Sequence, residues 1–340
     1  MPRVVDWVDP FGVRVKILSR HWPASLRFYI FALEVAWTLF RERANYEIAY
    51  FLMTGLHVVT GTLMARLLGK KIVMKFSCSG EIVRMKDSWV GRLEVGLLRR
   101  YAASLLVLNP GMVQEALDAG FSREQIGWMP NPIDIDKFSP CSEEERLRFR
   151  QELGVSADTP LVVFVGRLVE QKKIPWLLGS FVHVVREQPN AMLAILGDGS
   201  LGEEMTQLAM SLGLEKNVLF TGRVSSDGVL KWLRAGDVYT LISAVEGLPC
   251  SLIEAMATGI APVVSDIPAH TQIVDHETHG LITELGNETS VAQGLLRMLR
   301  DAELRKRIAV ASRERIVRQF SIQHVGDCYE ELFANVLGPK

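Results

Sequence analysis

Two glutamates, Glu246 and Glu254, flank a Gly-Leu-Pro segment that lies where an apolar run gives way to a helical pattern. Gly247 allows backbone N–H groups to approach a ligand closely, and the start of the next helix can receive a diphosphate on its exposed amides. From these positions Glu246 can reach a sugar hydroxyl, and Glu254 can accept hydrogen bonds from a ribose diol. Two surface glutamates could share this spacing by chance, but chance does not readily supply the loop, strand and helix as well.

Positive charge follows another apolar run, at Arg167, with Lys172 and Lys173 shortly after it. A permanent cation at the end of a strand, with lysines at the start of the next helix, suits a phosphate or diphosphate. The two lysines could instead be a solvated helix start. Cations are unfavourable at the N-terminal end of a helix dipole, however, and this favours a ligand.

Gly197, Gly199 and Gly202 form a G-x-G-x-x-G pattern between an apolar run and a helical pattern, the local context of a dinucleotide fingerprint. Two observations weaken that interpretation. The pattern follows the second strand of its domain instead of the first, and Glu215 precedes the next strand where an acidic residue should end it. The pattern alone therefore does not predict a NAD site.

These candidate residues come directly after short apolar runs that alternate with helical patterns. Such alternation predicts a parallel sheet covered on both faces, and a right-handed doubly wound sheet is the standard solution. Ligands of these sheets bind outside the carboxyl ends of the strands. The strands predicted in the second half are 160–166, 191–197, 217–222, 238–244 and 261–266.

The first half shows the same alternation less regularly. Its predicted strands are 13–18, 46–53, 70–76, 104–109 and 125–130, and its predicted helices lie near 24–42, 56–69, 90–102 and 111–119. We predict a first domain over 1–135, a linker over 136–157 and a second domain over 158–320, because the chain is rich in Pro, Asp and Glu from residue 131 to 145. The final helix, 321–337, carries one apolar stripe that could pack on either domain.

The composition, with 48% hydrophobic and 23% charged residues, is that of a soluble globular protein, and 340 residues predict two domains. The net charge of -1 argues against a nucleic-acid partner, although residues 1–140 carry +5 and residues 141–340 carry -6. A basic first half suits an anionic membrane surface or an acidic substrate; an uneven spread of solvated Lys and Arg is the alternative. Four scattered cysteines and a charged N-terminus predict a cytoplasmic protein without a secretory signal.

The stretch from Ile48 to Ala65 contains no Lys, Arg, Asp or Glu, so a membrane-spanning helix has to be considered. His57, three threonines and two glycines interrupt it, so it is not continuously apolar as a spanning helix should be. A buried strand, a turn at Thr54-Gly55 and then a helix is the predicted structure.

The chain from about residue 100 to 337 resembles the retaining GT-B glycosyltransferases of family 4, also called group 1 glycosyl transferases. The matching segments are NPIDIDKFSP, VGRLVEQKKIPWLL, LAILGDGSLGEEMTQLAMSLGL, VLFTGRV and SAVEGLPCSLIEAMATGIAPVVSDIPAHTQIVDHETHGLI. The resemblance implies an α/β GT-B fold, in which two Rossmann-like doubly wound domains face a cleft and the final helix crosses back onto the first domain.

When the functional residues of the family are transferred to the matching positions of this chain, the resemblance implies a site for a nucleotide diphosphate sugar. The predicted catalytic residues are Arg167 and Lys172, which would stabilise the departing diphosphate, and Glu246, which would contact the transferred sugar. Glu254 would bind the nucleotide ribose, and Lys173 stands where the family often has glycine. The other predicted donor-binding residues are Gly166, Gly197, Gly199, Val224, Gly247, Leu248 and Pro249.

The family transfers the sugar with retention at the anomeric carbon, through a transition state of oxocarbenium character, and no protein nucleophile is assigned. Two cations and a helix terminus can carry the leaving-group charge, so neither a metal nor another cofactor is expected. The expected acceptor is a saccharide or a lipid-linked hydroxyl. The basic first half and the apolar helix around Phe28 to Phe40 suggest peripheral contact with the inner face of a membrane.

The first half departs from the family pattern in two places. No Gly-rich loop occurs in 1–19, as if about 40 residues, one strand–helix–strand unit, were missing. Beyond the strand at 70–76, where the family commonly has a His-Gly pair, this chain has Ser77-Cys78-Ser79-Gly80-Glu81. Three functions follow: an active transferase making an envelope polysaccharide, glycolipid or glycoside; a truncated donor-binding protein that is inactive or depends on a partner; and a nucleotide-sugar epimerase or dehydrogenase. The pair Glu246 and Glu254, with Arg167, argues against the third.

Overall fold

A computed structural model describes residues 5–8, 14–17 and 24–338, and the chain divides into two compact units. The first unit contains the described residues up to Met129 and those from Cys328 onward, and the second runs from Pro130 to Asp327. Each unit is built around a parallel sheet with helices between the strands. The predicted fold class, two Rossmann-like α/β domains, is confirmed.

The first unit contains a parallel sheet of four strands and a separate strand pair. Its elements in chain order are β1 (Val5–Val8), β2 (Arg14–Ile17), α1 (Ala24–Arg41), β3 (Ile48–Phe51), α2 (Leu56–Leu67), β4 (Lys71–Lys75), α3 (Glu81–Met85), α4 (Trp89–Tyr101), β5 (Ser104–Val107), α5 (Pro110–Asp118) and β6 (Ile126–Trp128). Strands β3, β4, β5 and β6 pair in that order. Every residue of β5 is buried, as expected for a strand covered on both faces of a parallel sheet.

The uncharged stretch from residue 48 to 65 folds as the predicted strand, turn and helix. It forms β3, passes through Thr54-Gly55 and continues into α2, with Gly55 at φ 141° as the residue that caps the helix. Among the described residues, no helix combines the length and the apolar character needed to cross a bilayer.

The first predicted strand, 13–18, is present as β2. The prediction that it belongs to the parallel sheet of the first unit is wrong. Strand β2 pairs antiparallel with β1, and Val5 lies opposite Ile17 in a two-stranded sheet. Only five residues join the two strands, which is enough for a hairpin but too few for the crossover that a parallel pair requires.

The second unit is a doubly wound parallel sheet of six strands. Its elements in chain order are α6 (Glu143–Glu152), β7 (Leu161–Val165), α7 (Ile174–Glu187), β8 (Met192–Leu196), α8 (Gly202–Ser211), β9 (Val218–Gly222), α9 (Ser226–Ala235), β10 (Val238–Leu241), α10 (Cys250–Ala257), β11 (Ala261–Ser265), α11 (Pro268–Thr271), β12 (Leu281–Thr283), α12 (Glu288–Arg300), α13 (Ala302–Phe320) and α14 (Ile322–Leu337), whose last residues belong to the first unit. The strand order is β12-β11-β10-β7-β8-β9, so the winding reverses between β7 and β10. Doubly wound sheets bind their ligands at such a reversal.

The segment predicted as a linker, 136–157, lies inside the second unit and contains α6. The guanidinium of Arg150 is buried and donates to the carbonyl of Ala235 at 2.9 Å and to a carboxylate oxygen of Asp237 at 2.7 Å. It also donates to three carbonyls between Ser156 and Thr159. These bonds tie α6 to the end of α9 and the start of β10, which a composition rich in acidic residues and proline does not reveal.

Candidate functional site

The loops that follow β7, β8 and β9 surround a pocket of about 390 Å³ in the second unit. Four of the predicted site residues, Gly166, Arg167, Gly197 and Val224, line it together. Asp198 and Arg223 line it as well, although neither was predicted as a site residue. Arg223 directly follows β9 and Asp198 lies two residues beyond β8, so the rule that ligands bind at the carboxyl ends of strands could have found them.

Two glycines of the G-x-G-x-x-G pattern allow the loops after β7 and β8 to lie against each other. An ideal Cβ on Gly197 would lie 2.0 Å from the carbonyl oxygen of Gly166, and one on Gly199 would lie 2.4 Å from that of Leu168. The Leu168 N–H donates to the carbonyl of Asp198 at 2.8 Å and joins the two loops. Close packing of the two loops is therefore enough to explain the glycine pattern, and a bound dinucleotide is not needed.

Lys172 and Glu246, which are 74 residues apart in sequence, form a buried ion pair. Lys172 Nζ donates to Glu246 Oε1 at 2.5 Å. The Lys172 side chain lies against Gly166, where an ideal Cβ would be 3.5 Å from Lys172 Cε. The Ala244 N–H donates to the carbonyl of Gln171 at 2.8 Å, which fastens the loop after β10 to the turn that carries Lys172. The structure therefore brings the predicted cation and the predicted sugar-side carboxylate together next to the pocket.

Lys173 differs from its neighbour in both conformation and surroundings. Its backbone is left-handed, with φ 45° and ψ 41°, a region that favours glycine because it strains residues with a Cβ. Its ammonium lies 5.4 Å from the ring centroid of Trp176 and 3.8 Å from a carboxylate oxygen of Glu170. The position where the resemblance expects glycine thus has the backbone that glycine suits.

The predicted Gly-Leu-Pro segment, 247–249, is buried and leads directly into α10. Beneath the first turn of α10, the fully buried Tyr239 donates its hydroxyl proton to Ser251 Oγ at 2.8 Å. The first N–H groups of a helix have no acceptors within it. Tyr239 holds this turn in place, and the start of α10 lies at the carboxyl edge of the sheet, where a diphosphate is expected.

Glu254 lies on α10, about one turn beyond this start, and is partly buried. Burial raises the pKa of its carboxyl to about 7, and the positive charge of Lys137 opposes this shift. The ammonium of Lys137 is itself held 2.8 Å from Asp227 Oδ1. A carboxyl that exchanges its proton near neutral pH can become a full acceptor for a diol once a ligand favours the ionised form. Lys137 was not predicted as a site residue.

His270 is a fully buried histidine at the same end of the sheet, and it was also not selected. Its Nδ1 lies 2.9 Å from the carbonyl oxygen of Ser265; because a carbonyl only accepts, Nδ1 carries the proton. Ser265 Oγ donates to the carbonyl of Ser243 at 2.7 Å, three residues before Glu246. Burial lowers the pKa of His270 to about 4, while Glu246 raises it and Lys172 lowers it. A neutral histidine thus supports the loop.

The charge of the pocket suits an anion. Arg167 and Arg223 line it together with Asp198, so its side chains carry a net positive charge, and the Lys172 ammonium nearby is paired with Glu246. Within the described ranges, no group of three or more His, Cys, Asp or Glu side chains is arranged to hold a metal ion. The geometry favours a phosphorylated ligand held by cations and helix amides.

The carboxyl edge of the sheet in the first unit carries two glutamates. Glu94 is buried, and one of its oxygens accepts the Gly55 N–H at 2.9 Å, while the other has no hydrogen-bond partner among the residues that the structure describes. Burial raises the pKa of Glu94 to about 8, and the nearby charge of Glu81 adds to the shift. Glu81 accepts the N–H groups of Ser77 at 3.0 Å and Cys78 at 3.3 Å. The segment 77–81, which follows β4 where the family commonly has His-Gly, is thus held by the carboxylate of its own Glu81.

Comparison with known proteins identifies the family. The model of the family described as "Glycosyl transferases group 1" matches residues 145–315, just over half of the chain. The chain belongs to this family. All of the predicted site residues of this group 1 glycosyl transferase, from Gly166 to Glu254, lie inside the matched segment.

Curated relatives match this group 1 glycosyl transferase over part of their length. An uncharacterized glycosyltransferase from Methanocaldococcus jannaschii is 32% identical over 195 residues, which are 57% of this chain and 49% of the relative. The UDP-Gal:alpha-D-GlcNAc-diphosphoundecaprenol alpha-1,3-galactosyltransferase of Escherichia coli is 27% identical over 219 residues, or 64% and 56% of the two chains. The chain thus spans about half the length of the curated relatives it matches.

Solved structures share the fold of this group 1 glycosyl transferase. The crystal structure of HepE from Anabaena in complex with UDP and glucose aligns with a TM-score of 0.77, over 93% of this chain and 84% of HepE. The sequence identity is 21%, so the likeness concerns the fold.

Proposed function

We propose that the protein transfers a sugar from a nucleotide diphosphate sugar to an acceptor hydroxyl in the synthesis of a cell-envelope glycan. The observation that carries the proposal is the buried Lys172–Glu246 pair, which joins the segments after β7 and β10, where the winding of the sheet reverses, and lies next to the cationic pocket. This arrangement joins a site for phosphate with a carboxylate that can accept from sugar hydroxyls.

In the proposed complex, the diphosphate lies between Arg167, Lys172 and the first turn of α10. These groups stabilise the negative charge that accumulates as the diphosphate leaves, and they are in place before the reaction. Glu246 accepts from the hydroxyls of the transferred sugar and orients it, with its own position set by Lys172. Glu254 accepts from the ribose diol.

We further propose that transfer retains the anomeric configuration, as the family resemblance implies. The acceptor hydroxyl attacks from the face of the leaving group, and a phosphate oxygen of the donor takes its proton. This route assigns no covalent step to a side chain. Because three cationic or amide groups already face the diphosphate, we expect donor binding to be unchanged by EDTA.

The acceptor that suits the proposal is a saccharide or a lipid-linked hydroxyl. The E. coli relative carries a diphosphoundecaprenol acceptor in its name, and HepE was crystallised with UDP. We propose a UDP-sugar as the donor to test first and the cytoplasmic side of the membrane as the place of action. The four cysteines are free thiols, which suits a reducing compartment.

The test is a calorimetric titration of the full chain with UDP-, GDP- and ADP-sugars, with and without EDTA, followed by assays of hydrolysis and transfer. We expect one nucleotide to bind, and Arg167→Ala or Glu254→Ala to weaken it by about 10- to 100-fold, since each loses a hydrogen bond that involves a charged group. Arg307→Ala, an exposed arginine on α13, is the matched control and should bind normally.

The anomeric configuration of the first transfer product, read by NMR, tests retention. A product of inverted configuration would refute the retaining mechanism while leaving the donor site intact. Absence of binding to every nucleotide sugar would refute the donor site itself. Binding without hydrolysis or transfer to saccharide and lipid-linked acceptors would favour a donor-binding protein over an active transferase.

A further inference from the structure

The outer face of α1 in the first unit carries a continuous apolar stripe. Leu26, Tyr29, Leu33, Trp37 and Phe40 are 52%, 57%, 66%, 62% and 38% exposed. Their spacings of three, four, four and three residues place them on one side of a helix. The stripe runs from Leu26 to Phe40 within the 18-residue helix α1, a length of about 21 Å at about 1.5 Å per residue.

The opposite face of α1 is already used for packing within the first unit. Ala32 is buried, and its carbonyl accepts the Thr60 hydroxyl of α2 at 2.6 Å. The ring of Phe31 lies 5.1 Å from that of His57, also on α2. The exposed stripe is therefore not the face by which the helix is attached to its own unit.

The exposed charged residues of α1 and the turn after it are all positive up to Arg43. Between Leu26 and Arg43, the exposed residues are large apolar side chains and the three arginines Arg27, Arg41 and Arg43. Glu34 and Glu42, the carboxylates of this segment, are not among the exposed residues, and Glu42 is bonded to Arg41 at 3.1 Å. The guanidinium of Arg43 lies 4.7 Å from the centroid of the Phe40 ring, at the end of the stripe.

We propose that this stripe lies in the surface of an anionic lipid bilayer, with α1 parallel to the membrane plane. Trp and Tyr side chains favour the boundary between headgroups and acyl chains. Arginines at both ends of an apolar helix face can bind anionic headgroups while their stems cover apolar surface. The proposal does not depend on the proposed transferase activity, since it concerns a surface of the first unit and requires no donor or acceptor.

A second copy of the chain suits the stripe less well. A two-fold contact places the same patch against itself, so the exposed arginines at the two ends of α1 would face arginines of the other copy without an exposed carboxylate on either helix. Anionic headgroups can pair with the exposed arginines of this face, including Arg41, whose partner in the structure is Glu42. Charge complementarity therefore selects the lipid surface over self-association.

The test is co-sedimentation of the full chain, without nucleotide sugar, with vesicles of phosphatidylcholine alone or of phosphatidylcholine mixed with phosphatidylglycerol. We expect binding to the anionic vesicles at low salt and weaker binding to the neutral ones. Leu33→Ser and Trp37→Ser should each reduce binding by about tenfold or more, because each removes a side chain that would be buried in lipid. Arg41→Gln with Arg43→Gln should remove most of the preference for anionic vesicles.

Val310→Ser is the matched control, because Val310 is 54% exposed on α13 in the second unit. It should bind vesicles as the unchanged protein does. Circular dichroism and donor binding should remain normal in all variants, since surface substitutions usually change stability little. The proposal is overturned by equal binding to neutral and anionic vesicles, by unchanged binding of Trp37→Ser, or by a dimer that Trp37→Ser dissociates while no vesicle binding is seen.

Discussion

Lys172 Nζ lies 2.5 Å from Glu246 Oε1, and both residues are almost completely removed from solvent. The cation that the sequence assigns to the diphosphate and the carboxylate that it assigns to the sugar therefore compensate each other. A buried charge without a partner is costly, so each member of the pair holds the other in place. The pair has a structural role that can be separated from its proposed role in binding.

Replacement of both members of this pair should give a protein that is more stable than either single variant but still does not bind the donor. Lys172→Met and Glu246→Gln should each lower the free energy of unfolding, with a loss of about 3–5 kcal/mol for Lys172→Met, which leaves a buried carboxylate unpaired. The double variant should recover most of that loss and still fail to bind donor. Urea unfolding and calorimetry measure the two effects. A single-variant loss below about 1 kcal/mol would show that the pair behaves like a surface ion pair.

Donor binding should release protons through Glu254. Burial raises the pKa of this carboxyl to about 7, and a ribose diol that donates to it stabilises the ionised form and lowers its pKa. Affinity should therefore rise with pH through neutrality, and binding at about pH 7 should release about half a proton. Titration in buffers of different ionisation enthalpy measures the release. Glu254→Gln should abolish it; an equal release from that variant would assign the protons to another group.

The left-handed backbone of Lys173 predicts a gain in stability on replacement by glycine. Relief of strain at φ 45° favours Lys173→Gly, while the greater freedom of glycine in the unfolded chain opposes it. We expect a net gain of up to about 1 kcal/mol, seen as a higher unfolding temperature. Lys173→Ala is the control, because it removes the same charge but keeps the Cβ. Equal effects of the two variants would show that the ammonium, and not the backbone, determines stability here.

Because of Glu94, the free energy of unfolding should fall as the pH rises. Burial raises its folded-state pKa to about 8, so above the ordinary glutamate pKa the unfolded chain ionises while the folded protein keeps its proton. The stabilising contribution is complete at low pH and is lost between about pH 4.5 and pH 8, by at most about 1.4 kcal/mol per pH unit. Glu94→Gln, whose amide oxygen can still accept the Gly55 N–H, should flatten this dependence in urea unfolding. An unchanged slope would assign it to other groups.

Much of the second unit follows from the sequence because its signals are local. The apolar runs that became β7 to β11 are short and nearly uninterrupted, and each is followed by a helical pattern. Since parallel strands place their carboxyl ends along one edge, the candidate residues after these runs were expected to meet, and Gly166, Arg167, Gly197 and Val224 line one pocket. The prediction missed the short elements β1, α3, α11 and β12, because few residues carry their pattern. It also missed the longer helices α6, α12 and α13.

The tertiary structure alone decided which distant groups face each other. Strand pairing is set by chain packing and not by the pattern of a strand itself, so only the structure showed that β2 pairs antiparallel with β1. Gly197 and Gly199 lie where no side chain fits, because carbonyl oxygens of another loop are 2.0 and 2.4 Å from the positions that their Cβ atoms would take. The Lys172–Glu246 bond spans 74 residues. The sequence by itself determined most of the strands and which residue types follow them. The packed sheet determined which of these residues are neighbours and what their pKa values are, because both depend on burial and on contacts that no local pattern encodes.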